Sequence, residues 1–562
     1  MPSPIFVEDR LRSAQFLNPQ LNLLHEDEAL ASIALLQPGG DAIANDHRIG
    51  PRDQALAAAK VLAFLRQAVE RQVNLAITPE YFSPWDIITS IGNALQPPAG
   101  SLWAICFESI KPTELQARIA ANPQLEWLCN VPQVAGEKEL LNTLVYFFQA
   151  TKADGSVTRT IALPQFKSTP MSDTVLQLER RRLIVGADEV FLFRNRANSI
   201  HLASIICSDA LNFDPTVFFN QWGHMPHVLL HPQFNSNPIY DQFRDYRTRW
   251  SKQVGDKKHI IALNWARGST INQASTNIEH YGRSCFYTKD SLIYGLNQHR
   301  DNHDNGLYYT VGTDRVHSCY LNFDEHSFEI SISKAGRAGN AAALVNPAAP
   351  RIQSYSWGAN TWNRVTPLND GYLSNCPWRK APIPAALVGS NLHQIEKEIV
   401  MNQATGHEGG NEKELSQVTS VNLSAGEIIR RLTFTQDQSE EARTFREAIA
   451  AKFNELCILL SNANNYPSNL SYCTDAPKLG IYAFGHNLKG SKSETAQIVY
   501  VGVVPENEAQ RAYTKLHASV HPNDRRKICL WFKVGNDFLK LFEKDTSFGN
   551  PLDTNLTDLT RP

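Results

Sequence analysis

Asn74-Leu75-Ala76-Ile77-Thr78-Pro79-Glu80 is a short apolar run closed by a proline and a carboxylate, and its reading decides the fold. Asn74 to Thr78 reads as a buried strand. Just upstream, Asp53 to Arg71 reads as a helix, alanine-rich, with Leu62, Leu65 and Val69 on one face. Further back, Ala31-Ser32-Ile33-Ala34-Leu35-Leu36 reads as a second buried strand, ending at Gln37-Pro38-Gly39-Gly40. Strand, helix, strand is a parallel α/β unit. In such sheets ligands collect beyond the carboxyl ends of the strands, which is where Glu80 stands.

Two later segments repeat this placement of one reactive group at a strand end: Ala162-Leu163-Pro164-Gln165-Phe166-Lys167 and Ala203-Ser204-Ile205-Ile206-Cys207-Ser208-Asp209. The first follows a hairpin, in which Asn142 to Phe148 forms one strand, Asp154-Gly155 the turn, and Val157 to Ala162 the return toward Lys167. The second follows the strand Glu189 to Arg194, and Ile200 to Ile206 delivers Cys207. His227 to Leu230 and His259 to Asn264 read as further buried strands, with a helix from Tyr240 to Val254 between them. A second hairpin-like region runs from Gly282 to about Ser333.

At 562 residues the chain is too long for one ordinary core, so two or three domains are expected. A formal net charge of -2 argues against a dedicated nucleic-acid surface, and Arg180-Arg181-Arg182 reads as a solvated helix face. No apolar stretch approaches the ~18 residues of a membrane span. Met1-Pro2-Ser3-Pro4 opens no basic-then-apolar leader. Nine cysteines without CxxC pairs suggest free thiols in a reducing cytoplasm. His224, His227 and His231 invite a metal reading, but Pro226 and an intervening strand work against convergence on one ion, so no metal is expected. His231 follows a strand end and is read either as lining the Cys207 pocket or as a structural histidine. Tyr81 and Phe82 are read either as pocket walls or as packing under the sheet.

Taken together, Pro79-Glu80, Phe166-Lys167 and Ile206-Cys207-Ser208-Asp209, in that order and strand context, resemble the nitrilase, or carbon–nitrogen hydrolase, superfamily. The Ala31 to Gln37 strand, Asn142, Asp154-Gly155 and the strand ending in Asn264 add to the resemblance, which covers roughly residues 25 to 335. It implies an α+β fold, a four-layer αββα sandwich that pairs through its outer helices into a homodimer or higher homo-oligomer. It also implies hydrolysis of small-molecule amides, nitriles or ureido groups, or acyl transfer, with no metal or organic cofactor. Glu80, Lys167 and Cys207 take the catalytic positions. A second acid that buttresses the lysine in many members falls here on Glu179 or Asp173. The chain departs from the family pattern at Ser208, where an aromatic often stands, and at Leu211-Asn212-Phe213-Asp214 in place of Phe-Pro-Glu. These departures bear on substrate more than on the triad.

The residues themselves support such chemistry. A free thiol is only a few per cent thiolate at neutral pH, so it needs a base, and Glu80 is that base. Lys167 beside a carboxylate stays charged, which suits it to stabilise developing negative charge, with the backbone N–H of Ser208 as a second donor. The domain reading is a nitrilase-like domain over 1–345, an extension and linker over 346–410, and a small α/β C-terminal domain over 411–562 with a helix from about Ser439 to Leu460. That last domain lacks a Ser-Gly-Gly-x-Asp-Ser loop, which disfavours dinucleotide synthesis fed by a glutaminase half. Acyl transfer to lipoproteins is set aside for want of membrane spans. The competing reading is a catalytically idle scaffold that senses a small molecule or binds a partner, in a setting such as bacterial defence.

Overall fold

The computed structural model describes residues 3–272 except 26–29, 135–136, 172–176, 186–188, 220–221 and 237–240. It then describes parts of 284–365 and separate elements between 470 and 558. The chain separates into two compact units, Met1–Tyr309 with Asp314–Asn369, and Thr310–Thr313 with Asp370–Pro562. The architecture is mixed α/β, with several sheets and few helices, as an α+β reading requires. Among the described residues no helix is long and apolar enough to cross a membrane.

The first unit holds a nine-stranded sheet in the order Thr361–Val365, Arg351–Gly358, His326–Ser333, Leu30–Gln37, Leu75–Ile77, Leu102–Ile110, Leu141–Thr151, Thr158–Phe166 and Leu125–Trp127. Its centre is parallel, Ile33 facing Leu75 and Leu75 facing Leu102, and these strands are apolar on both faces because both faces are covered. The Gln54–Glu70 helix connects two of them. Asp53 caps it by accepting the Leu56 N–H at 2.9 Å. Its fully buried stripe is Ala57, Val61, Phe64, Leu65 and Ala68; Leu62 and Val69, expected on that face, are only partly buried.

A second sheet in this unit runs Ser3–Phe6, Glu189–Arg194, His201–Ser204, His227–Pro232, Lys258–Leu263, Cys285–Lys289 and Val316–Leu321. His201–Ser204, His227–Pro232 and Lys258–Leu263 are parallel neighbours. The helix expected from Tyr240 to Val254 spans Asp241–Ser251. The region from Gly282 to Ser333 is not one hairpin, since Cys285–Lys289 and Val316–Leu321 pair in this sheet while His326–Ser333 joins the other beside Leu30–Gln37.

The two sheets meet across an aromatic layer, with the Tyr146 ring 4.9 Å from Phe193 and Phe148 5.7 Å from the same ring. One polar side chain crosses that layer. Gln165 donates to Ser204 O at 2.9 Å and accepts from Phe191 N at 3.2 Å and Tyr146 OH at 3.1 Å. Burying an amide costs free energy unless its bonds are made, and these contacts hold the two sheets in one register just before Lys167 and Cys207.

The sequence reading closed the first domain at 345. Arg351–Gly358 and Thr361–Val365 instead form a hairpin that extends the nine-stranded sheet, its turn closed by Ala359 (φ 52°) and Asn360 (φ 59°). Two positive-φ turn residues match the right-handed twist of the strands. Tyr355 and Trp362 are buried, and Trp362 Nε1 donates to Lys60 O of the Gln54–Glu70 helix at 3.0 Å. In the second unit the described elements form a six-stranded sheet, within which Thr495–Val503 and Ile528–Val534 are parallel and joined through the Glu506–Ser519 helix. The helix expected at 439–460 and the linker expected at 406–412 lie outside the described residues.

Candidate active site

Glu80, Lys167 and Cys207 each follow a strand: Leu75–Ile77 and Thr158–Phe166 in one sheet, His201–Ser204 in the other. The three side chains meet. Lys167 Nζ donates to Glu80 Oε1 at 2.8 Å and to Glu179 at 2.8 and 2.9 Å, and the Cys207 thiol lies near enough for the Glu80 and Glu179 charges to act on it. Exposure is 1% for Glu80, Lys167 and Glu179 and 2% for Cys207, so the cluster is withdrawn from bulk water.

Glu80 is held at every oxygen. Oε1 also accepts from Asn142 Nδ2 at 2.7 Å, Oε2 accepts from Phe234 N at 2.8 Å, and its backbone O accepts from Trp265 Nε1 at 2.9 Å. Glu179 sits on the short helix Gln177–Arg182 and accepts from Tyr81 OH at 2.6 Å and Met171 N at 2.6 Å as well as from the lysine. Tyr81 is thus bonded into the Lys167–Glu179 cluster, fully buried and at φ 64°, whereas Phe82 packs edge-on against Trp265 in the core. Asp173, the alternative second acid, lies outside the described residues.

The charges decide what each group does. Two carboxylates and one ammonium leave the buried cluster with one negative charge in excess. Burial, and then the neighbouring Glu179, push the Glu80 pKa up against the pull of Lys167. Burial disfavours the Lys167 ammonium, but Glu179 and Glu80 more than offset it, and its pKa is raised. Burial and Glu80 drive the Cys207 thiol well above its ordinary range. The sulfur is thus a thiol at neutral pH.

Cys207 opens a single 3-10 turn, Cys207–Leu211, and has φ 41°, a left-handed conformation that costs a non-glycine residue ~1–2 kcal/mol. Asp209, two positions on, secures that turn. It accepts from Ile206 N at 3.2 Å and, across to the lysine loop, from Ser168 N at 2.9 Å and Thr169 N at 2.7 Å. Burial raises its pKa to about 6. Ser208 Oγ donates to Thr169 O at 2.6 Å, a second tie between the cysteine turn and the lysine loop.

His231 does not stand free in a pocket. Nε2 lies 2.9 Å from Cys207 O, and Nδ1 lies 2.6 Å from Tyr246 OH and 3.0 Å from Gln233 Nε2. Burial lowers its pKa to about 3, so the ring is neutral. A carbonyl only accepts, so Nε2 carries the hydrogen and Nδ1 accepts. His227 is likewise engaged, by Met225 O at 3.2 Å and Trp250 Nε1 at 2.8 Å. Among the described residues no cluster of His, Cys, Asp and Glu is arranged to hold a metal ion.

Sequence reasoning gave no role to Gln165, Asp209, Phe234 or Gln233. Only Asp209 carried a local signal, a carboxylate placed to cap the turn that Cys207 opens.

No protein-family model and no curated protein matches the chain. Among solved structures it is similar to a glutamine-dependent NAD+ synthetase from Acinetobacter baumannii in complex with adenosine diphosphate, at 12% identity and a TM-score of 0.25. The match covers 66% of this chain and 56% of that one. A likeness this slight identifies neither a family nor an activity.

Proposed function

We propose that the chain is a thiol hydrolase that cleaves a non-peptide carbon–nitrogen bond, in an amide, ureido or nitrile group, through a Cys207 acyl-enzyme. Residues 25 to 335 would be its nitrilase-like αββα sandwich. The observation that carries the reading is a buried carboxylate bonded to an ammonium at 2.8 Å, with a buried thiol near enough to feel both charges. With an amide substrate, the Cys207 proton passes to Glu80 as sulfur bonds the carbonyl carbon. Lys167 and the Ser208 N–H stabilise the oxyanion. The C–N bond breaks, and Glu80 returns the proton to the departing nitrogen. Water then gives a proton to Glu80 while its oxygen displaces sulfur from the thioester, and Glu80 passes that proton to the departing sulfur, restoring the thiol and the carboxylate. Because the proton only moves between Glu80 and its partners, the buried protein groups never hold more than their one excess negative charge. Lys167, fixed between two carboxylates, is a poor base and a permanent positive pole.

The proposal extends to a cytoplasmic homodimer or higher homo-oligomer that acts on a small molecule without metal or organic cofactor. Its test is release of ammonia or amine from a panel of small amides, ureido compounds and nitriles. Wild-type protein releases nitrogen from at least one, and Cys207→Ala from none. Equal release by both proteins, or none by either, overturns it. A second reading, an idle scaffold on the same fold, draws on the 2% exposure of Cys207 and takes the place of the first if no nitrogen is released.

A further inference from the structure

Resting on the thiol-hydrolase reading, we propose that His231 is a positioning residue. By gripping the carbonyl of Cys207 it fixes the Cys207–Ser208 peptide so that the Ser208 N–H faces the opposite way, as an oxyanion donor. A trans peptide is planar, and its C=O and N–H point in opposite directions. The Nε2–H of His231, 2.9 Å from Cys207 O, therefore sets the direction of the next N–H along with that of the carbonyl. Among the described residues the Ser208 N–H meets no acceptor, while the neighbouring Asp209 N–H is spent on Ile206 O at 2.9 Å.

The grip is built to stay in one state. Tyr246 OH and Gln233 Nε2 both address Nδ1, which keeps it the acceptor and leaves the hydrogen on Nε2. Tyr246, on the Asp241–Ser251 helix, and His231 are fully buried, so no water competes for the bond. Cys207 at φ 41° also needs such a hold. The Cys207–Ser208 peptide turns about the Cα–C bond of Cys207, and the bond to His231 opposes that turn.

The test separates acylation, which passes through an oxyanion, from alkylation, which does not. The probes are p-nitrophenyl acetate, whose acetyl carbon bonds sulfur as p-nitrophenolate leaves, and iodoacetamide, in which sulfur displaces iodide. In the full-length chain, His231→Leu slows acetylation of Cys207 by ~10²–10³-fold, the usual effect of losing one such donor, and changes its alkylation by less than about threefold. His231→Gln carries an N–H at a similar reach and recovers most of the acetylation rate. Cys207→Ala supplies the background from other nucleophiles. Parallel loss of both reactions in His231→Leu makes the histidine a general support and overturns the inference, as does failure of His231→Gln to recover. Unchanged acetylation overturns it too. If wild-type Cys207 accepts no acetyl group, the hydrolase reading falls and takes this inference with it; a wild-type burst matched by His231→Leu removes the inference alone.

Discussion

Replacing Glu179 by glutamine changes the charge of the cluster without changing its shape, and the structure gives two effects of opposite sign. At 2.8 Å and an effective dielectric of ~20, one Lys–Glu pair attracts by ~6 kcal/mol. Lys167 keeps its equally close pair with Glu80, and Glu179 no longer needs to be desolvated as a charge. The net loss is therefore about 3 kcal/mol of unfolding free energy, the lower end of what breaking a buried pair costs. The thiol moves the other way. Glu179 is one of the two carboxylates that hold the Cys207 pKa up, and removing it lowers that pKa and raises the share of thiolate at neutral pH. Urea unfolding followed by tryptophan fluorescence reads the first effect, and the rate of iodoacetamide alkylation at Cys207 against pH reads the second. A protein that is less stable and yet more reactive at its thiol fits these electrostatics. Unchanged stability, or a slower alkylation, refutes them.

Three further outcomes follow from the same geometry. Asp209→Ala strands the N–H groups of Ile206, Ser168 and Thr169 and uncouples the cysteine turn from the lysine loop; it is expected to cost several kcal/mol in urea unfolding, with Asp209→Asn milder because its amide oxygen still accepts. Cys207→Gly is expected to be at least as stable as Cys207→Ala by thermal melting, reversing the usual glycine penalty of ~0.5–1 kcal/mol, because φ is 41° there. The buried histidines set the acid response. Folding depresses the pKa of His201 to about 4 and those of His231 and His259 to about 3, so the unfolded chain takes up their protons first as pH falls below ~6.5. Their stabilising contribution is whole above that pH and is lost between about 6.5 and 3, at ~1.4 kcal/mol per histidine per pH unit, while Asp209 (about 6) and Glu80, both raised, offset part of it. The melting temperature should hold from pH 7.5 to about 6.5 and fall from there to pH 5, and a flat or rising profile below ~6.5 contradicts the assignment.

The places of Glu80, Lys167 and Cys207 were legible because each follows a recognisable strand. Pro79 marks where the first strand stops, Asp154-Gly155 forces the hairpin that returns to Lys167, and a mostly apolar run, Leu202-Ala203-Ser204-Ile205-Ile206, leads to Cys207. What holds those residues was not legible. The grips of Gln165 on Ser204 and of His231 on Cys207 depend on which strands become neighbours and in what register, and no local periodicity encodes that. Glu179 came from the resemblance alone, since a glutamate ahead of three arginines reads locally as a solvated helix turn. The hairpin at 351–365 was missed because its buried positions, Ile352, Ser354, Tyr355 and Trp362, neither alternate strictly nor form an apolar run, and its turn carries no glycine.

If Cys207 attacks with Glu80 as its base, the chain passes through a covalent acyl intermediate. The most direct measurement is intact mass of the full-length chain, quenched after mixing with amide substrates. The expected result is a transient acyl adduct that maps to Cys207, is absent in Cys207→Ala, and fails to form on the same timescale in Glu80→Gln. A chain whose mass never changes, or an adduct that forms equally fast without the Glu80 carboxylate, contradicts it.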